Sequence, residues 1–132
     1  MKTMNISIGD KFSLSKTITD EDVQKFGELT GDFNPVHFDD EFAKTTRFRK
    51  RIAHGMLSAT LFSGVLGNGI PGAVYLSQTL KFTAPVYLGD TVTVCATVTN
   101  LREDKPIVTV ETLCLNQNEE VVIKGEAVLL IQ

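Results

Sequence analysis

From Ala73 to the end of the chain, hydrophobic and polar residues alternate in short runs broken by turn formers. This period of two predicts strands over Ala73–Phe82, Thr91–Leu101, Pro106–Asn116 and Val121–Ile131. The second run is the clearest, with Val92, Val94, Ala96 and Val98 on one face and Thr91, Thr93, Cys95, Thr97 and Thr99 on the other. Ala84-Pro85, Gly89-Asp90, Arg102 to Lys105 and Asn116 to Asn118 punctuate the runs, and Gly125 inside the last predicts a bend or bulge. The stretch Ile52–Gly67 has a different pattern. Met56, Leu57, Ala59, Leu61, Phe62, Val65 and Leu66 leave almost no polar face, which predicts a helix buried on all sides. From Gly55 to Leu66 it measures about 18 Å, and Ser58, Ala59, Ser63 and Gly64 let a sheet approach closely. Gly67-Asn68-Gly69 and Pro71-Gly72 are expected to end it.

The N-terminal third is more mixed. Residues 4–16 alternate weakly and predict a short strand or extended arm. Thr19 fits a helix N-cap, Asp20, Glu21 and Asp22 suit the positive end of the helix dipole, and Val23, Phe26 and Leu29 follow at helical spacing as far as Gly31. Phe38, Phe42 and Ala43 suggest a second short helix over Asp39–Lys44. One apolar helix followed by antiparallel strands is an α+β pattern, and the simplest solution wraps the sheet around the helix.

Composition narrows the function classes. A chain of 132 residues, 42% of them hydrophobic, reads as one domain over residues 1–132 with room for a real core. The net charge of −3 has no block of one sign, which argues against nucleic acid as the partner. No apolar run is long enough to span a membrane and the first residues lack a signal peptide's apolar centre, so the expected location is the cytoplasm. In that reducing compartment Cys95 and Cys114 read as free thiols. Two histidines and no Cys-x-x-Cys give no metal-ligand pattern.

Candidate chemistry is concentrated in Gly31-Asp32-Phe33-Asn34-Pro35-Val36-His37. A carboxylate and an imidazole five residues apart, separated by turn formers, can converge on one water as a general acid–base pair. Pro35 excludes a helix interior and points to a rigid loop. Asn34 reads as a turn or supporting residue. The start of the apolar helix at His54-Gly55-Met56 would offer a backbone N–H to developing negative charge, and glycine there lets a ligand carbonyl approach closely. The competing reading is an ordinary turn with a packed histidine, and His54 is read the same way, as a capping or packing ring. The run Arg47 to Arg51 is either a solvated face or an attraction for ligand phosphates.

The run Phe26-x-x-Leu29-Thr30-Gly31-Asp32-x-Asn34-Pro35-Val36-His37, with Ala43 beyond it, resembles the hydratase signature of the (R)-specific enoyl-CoA hydratases, members of the MaoC-like hot-dog group. The resemblance continues through Ile52-Ala53-His54-Gly55-Met56, Leu66-Gly67, Pro85-Val86-x-x-Gly89-Asp90 and Leu101 to Pro106, and is strongest to the hydratases that supply polyhydroxyalkanoate synthesis. It implies a hot-dog fold, a homodimer joined sheet edge to sheet edge, and reversible syn hydration of trans-2-enoyl-CoA to (R)-3-hydroxyacyl-CoA without cofactor or metal. It implies catalytic roles for Asp32 and His37, the oxyanion position for the Gly55 N–H, and an acyl pocket at Ser63 and Leu66. Bulky Leu61, Phe62 and Leu66 lean towards short acyl chains of roughly four to six carbons. Two other classes remain open at this point, an acyl-CoA thioesterase and a non-catalytic acyl-thioester binder. CoA and acyl-carrier protein are not separable from sequence.

Overall fold

The computed structural model describes residues 5–132; Met4, the start of the predicted extended stretch, lies outside the described residues. Strand β1 (Lys11–Thr17) is followed by helices α1 (Asp20–Thr30), α2 (Pro35–Phe38), α3 (Asp40–Lys44) and α4 (Gly55–Gly69). Strands β2 (Val74–Gln78), β3 (Lys81–Phe82), β4 (Thr91–Leu101), β5 (Ile107–Leu115) and β6 (Val121–Leu130) complete the chain. All pairings are antiparallel, in the order β1-β4-β5-β6-β2, with β3 also on β6. The sheet curls around α4, which packs on β4, β1 and β5. This is the hot-dog arrangement expected from the sequence.

The core follows the alternation. Val92, Val94, Ala96 and Val98 of β4 face α4 with Val108, Val110 and Cys114 of β5, all at most 1% exposed. Burying such a side chain contributes about 1.5–3 kcal/mol. The outer face is polar, and cross-strand hydroxyl pairs Ser15–Thr93 and Thr17–Thr91, each at 2.7 Å, hold β1 to β4. Val94 stands opposite Cys114, so Cys114 points inward and Cys95 outward. Both are free thiols, on opposite faces of the sheet.

Thr19 and Asp22 form a reciprocal capping box at the start of α1, and Gly31 closes it in the left-handed conformation with φ 79°. Four expectations need correction. Pro35 does not hold its segment in a loop. It opens the one-turn helix α2, because a proline at the first helical position gives up an N–H that has no helical partner anyway. The run Ala73–Phe82 is two strands, β2 and β3, joined by Thr79 and Leu80. Gly125 lies beside that break: a Cβ there would collide with the Thr79 carbonyl oxygen, so the glycine marks where one segment crosses closely over another, while the pairing of β6 with β5 is continuous through Gly125 and shifts only further back, between Cys114 and Leu115. Helix α4 runs through Gly67 to Gly69, about 22 Å. It is buried along Ser58, Ala59, Phe62, Val65 and Leu66, but Met56, Thr60, Ser63 and Gly67 are exposed on its other face.

Candidate active site

The short segment 52–54, which leads into α4, is tied on both sides. Ile52 N–H donates to the Val36 carbonyl at 3.3 Å and Ala53 N–H to the Val86 carbonyl at 2.7 Å. It thereby joins α2 to the Pro85-Val86 stretch and delivers the chain into α4. The Ile52 carbonyl also receives the His37 ring at 2.8 Å through Nδ1. A carbonyl can only accept, so Nδ1 carries the proton and Nε2 keeps its lone pair. That is the tautomer a general base requires.

His37 is 8% exposed. Burial is the largest influence on its pKa and pushes it below the ordinary 6.5. The bond to Ile52 and the negative charge of Asp32 pull the other way, His54 and Arg51 add to the lowering, and the net direction is down. Arg51 braces the same helix from behind. Its Nε–H donates to the His37 carbonyl at 2.7 Å and its Nη2 to Asp20 on α1 at 2.6 Å. Of the basic run, Arg51 is therefore committed to structure, and Lys50 lies 4.7 Å over the Tyr87 ring. Arg47 and Arg49 are exposed.

Asp32 is placed by local turn chemistry. Its Oδ1 accepts the Asn34 N–H at 3.2 Å, and the Asn34 side chain in turn caps α2 by accepting the Val36 N–H at 3.1 Å. One carboxylate oxygen of Asp32 and one ring nitrogen from each of His37 and His54 lie within 4.8 Å of one another. Asp32 is exposed in the isolated chain and His37 is buried, so the pair straddles the surface. The three residues together could offer ligands to a metal ion, but one nitrogen of each histidine is protonated towards a carbonyl, His37 to Ile52 and His54 to Asp32 at 3.0 Å. The remaining His54 nitrogen is sealed from solvent. That leaves Asp32 and His37, a donor pair short of the three protein ligands a catalytic zinc requires, and better suited to moving a proton.

His37 forms part of the wall of a cavity of about 530 Å³, together with Gly55, Ser58, Phe82, Val86 and Ile123. This is in the range of small-ligand pockets, apolar with a few polar groups. Gly55 is the first residue of α4, so its N–H has no partner within the helix and carries the positive end of the helix dipole. A Cβ at Gly55 would lie 2.9 Å from the Phe82 ring.

Ser63 is exposed and lines a second groove of about 340 Å³ with Tyr75, Gln78 and Leu80, separate from the His37 cavity except that Met56 borders both. Leu66 is 2% exposed and borders neither. Phe62 is likewise core, at 1%. The bulk of Leu66 and Phe62 therefore fills the interior, while Leu61 is half-buried. Two contributors were not read from sequence as part of the site: Phe82 comes from the far side of the strand break, and Ser58 reads as a small packing residue. His54, expected as a capping or packing ring, makes no capping bond and packs its ring 4.0 Å from that of His37.

Residues 5–119 match the model of the MaoC-like domain family. The chain is 47% identical over 131 residues to the (R)-specific enoyl-CoA hydratase of Aeromonas caviae, covering 98% of each chain. It is 48% identical over 129 residues to that of Rhodospirillum rubrum, covering 96% of this chain and 89% of the relative. The solved structure of an (R)-hydratase from A. caviae involved in PHA biosynthesis superposes with a TM-score of 0.94 at 45% identity, over 97% of this chain and 98% of that one. With the curled sheet, the central helix and the Asp32–His37 pair in place, this protein belongs to the MaoC-like domain family.

Proposed function

We propose that the protein catalyses the reversible syn hydration of trans-2-enoyl-CoA to (R)-3-hydroxyacyl-CoA, as one domain spanning residues 1–132. The observation that carries this reading is the convergence of the Asp32 carboxylate and the His37 ring beside a cavity whose wall includes Gly55. The relatives named above, at 47% and 48% identity, support the substrate class.

The chemistry follows from the site. Asp32 and His37 hold one water between them. His37 Nε2 takes a proton as the water oxygen bonds to the β-carbon. The π electrons of the double bond move into the thioester, and the resulting enolate oxygen is held by the Gly55 N–H. The proton then returns to the α-carbon from the same side, so both additions occur on one face. General acid–base assistance of this kind is typically worth about 10²–10⁴-fold. Arg47, Arg49 and Lys50 are the exposed cations of the basic run, and Arg47 and Arg49, which are not engaged with an aromatic ring, suit the phosphates of the carrier.

The proposed working form is a cytoplasmic homodimer joined along β2. That strand ends the sheet and exposes Val74, Tyr75 and Leu76 at 49%, 38% and 52%, an open apolar edge that a second copy would pair and cover. Supply of monomers for polyhydroxyalkanoate synthesis is the expected use of the product. The test is incubation with crotonyl-CoA. Loss of enoyl absorbance with formation of the (R)-3-hydroxy product supports the reading. Release of free thiol without hydroxyacyl product would instead make the protein a thioesterase.

A further inference from the structure

Among the described residues, two buried side-chain polar atoms have no hydrogen-bond partner, His54 Nδ1 and Ser58 Oγ. His54 is the N-cap of α4 and Ser58 lies four residues on, one turn into the helix, so the two share one face of the chain entering it. His54 is 2% exposed and Ser58 0%. Neither has a part in the hydration chemistry above, yet the ring of His54 is at the centre of the site. It stacks on His37 with centroids 4.0 Å apart, with Phe26 at 4.7 Å and Phe38 at 5.5 Å around it. Its Nε2 bonds the main-chain carbonyl of Asp32 at 3.0 Å, the residue whose carboxylate must meet His37.

The tautomer follows from that bond. The Asp32 carbonyl can only accept, so His54 carries its proton on Nε2 and presents Nδ1 as an acceptor. The matching donor is the Ser58 hydroxyl, one helical turn along. Ser58 Oγ makes no hydrogen bond as placed, so its hydroxyl is uncommitted and available to that acceptor. We propose that His54 is a positioning residue, locked as the Nε2–H tautomer by Ser58, and that it fixes the Asp32 turn against the His37 ring. This deepens the hydratase reading and rests on it for its kinetic arm only.

His37 and His54 then carry opposite tautomers for opposite tasks. His37 is protonated at Nδ1 towards Ile52 and leaves Nε2 free as a base. His54 uses Nε2 to hold the loop and has no nitrogen facing substrate. Without the His54 bond, the hydrogen bonds left at Asp32 among the described residues are short-range, from the Asn34 N–H to its carboxylate and from its own N–H to the Thr30 hydroxyl. Both are made within two residues, so they shape the turn but do not dock it on α4.

The test uses three variants of the full chain. His54→Phe keeps an aromatic ring among Phe26, Phe38 and His37 but removes the donor. His54→Gln can restore an N–H towards the Asp32 carbonyl. Ser58→Ala removes the hydroxyl alone. The expected result for His54→Phe is a fall in kcat of about tenfold or more with little change in KM, since the loss is of alignment and not of binding. His54→Gln recovers much of it, and Ser58→Ala lowers kcat by a smaller factor. Long-range ¹H–¹⁵N correlation spectra of the wild type show the His54 proton on Nε2, and Ser58→Ala moves the Nδ1 resonance. A proton on Nδ1, alone or with Nε2, overturns the proposal, as does wild-type kcat in a folded His54→Phe. A change only in KM for Ser58→Ala overturns the lock by Ser58 and leaves that residue acting through the cavity wall alone. The spectra require no turnover, so a wild type that does not hydrate crotonyl-CoA defeats the hydratase reading while the tautomer is judged separately.

Discussion

Replacing His37 with glutamine tests the role of the base most directly. The side chain is almost buried on α2 and makes one hydrogen bond, from Nδ1 to the Ile52 carbonyl at 2.8 Å. The glutamine amide can keep a donor for that carbonyl, so the cost in stability is no more than about 1 kcal/mol, the net worth of one such bond. It cannot accept a proton from water. The rate should therefore fall by about 10²–10⁴-fold, which corresponds to about 2.7–5.4 kcal/mol of transition-state stabilisation. The pH profile gives a second measure. Burial makes the imidazolium less favourable, so the folded pKa of His37 lies below 6.5 and the ring is the unprotonated base at neutral pH. The acid limb of kcat/KM in the wild type should then lie below pH 6.5, and it should be missing from the residual rate of the variant. The same shift affects stability. As pH falls from about 6.5 through the folded pKa, the unfolded chain binds a proton that the folded chain refuses, so the wild type loses stability in that window and His37→Gln loses less. The assay is loss of crotonyl-CoA absorbance across pH 5–8, with a thermal melt of each protein. A folded variant that retains the wild-type rate within a few-fold, with the same acid limb, refutes the assignment.

Three other outcomes are expected. Gly55→Ala would place a methyl 2.9 Å from the half-exposed Phe82 ring, which can swing away; the fold should survive while kcat/KM for crotonyl-CoA drops about tenfold, because the cavity wall beside the oxyanion donor moves. Gly125→Ala meets main chain and has no such relief. The β2–β3 crossing must shift, at a cost on the order of 3 kcal/mol, so the melting temperature should fall by roughly 10 °C; an unchanged melt would contradict the close crossing. Burial holds the Cys114 thiol up to about 12, so native alkylation should reach Cys95 at most, with both labelled after unfolding, and mild oxidation should form no internal disulfide because the two side chains leave the sheet on opposite faces.

Local chemistry determined much of this protein in the sequence itself. The period-two pattern of β4 set its buried face, Thr19 and Asp22 set the start of α1, and Gly31 set its end, because each depends on neighbours within a turn or a strand repeat. The Asp32–His37 spacing proposed a pair, and the backbone around Asn34 and Pro35 brings it together, although through a helical turn and not the loop that was expected. The tertiary structure decided what depends on residues distant in sequence. Whether Gly125 is a bulge or a crossing was settled by Thr79, 46 positions away. The tautomer of His37 was settled by the Ile52 carbonyl and that of His54 by the Asp32 carbonyl, bonds made across separations of 15 and 22 residues. The exposed face of α4 likewise depends on where the curled sheet stops, and hydrophobicity along one helix does not encode that. Periodicity states which side chains avoid water; only the packed chain states which polar atoms find each other there.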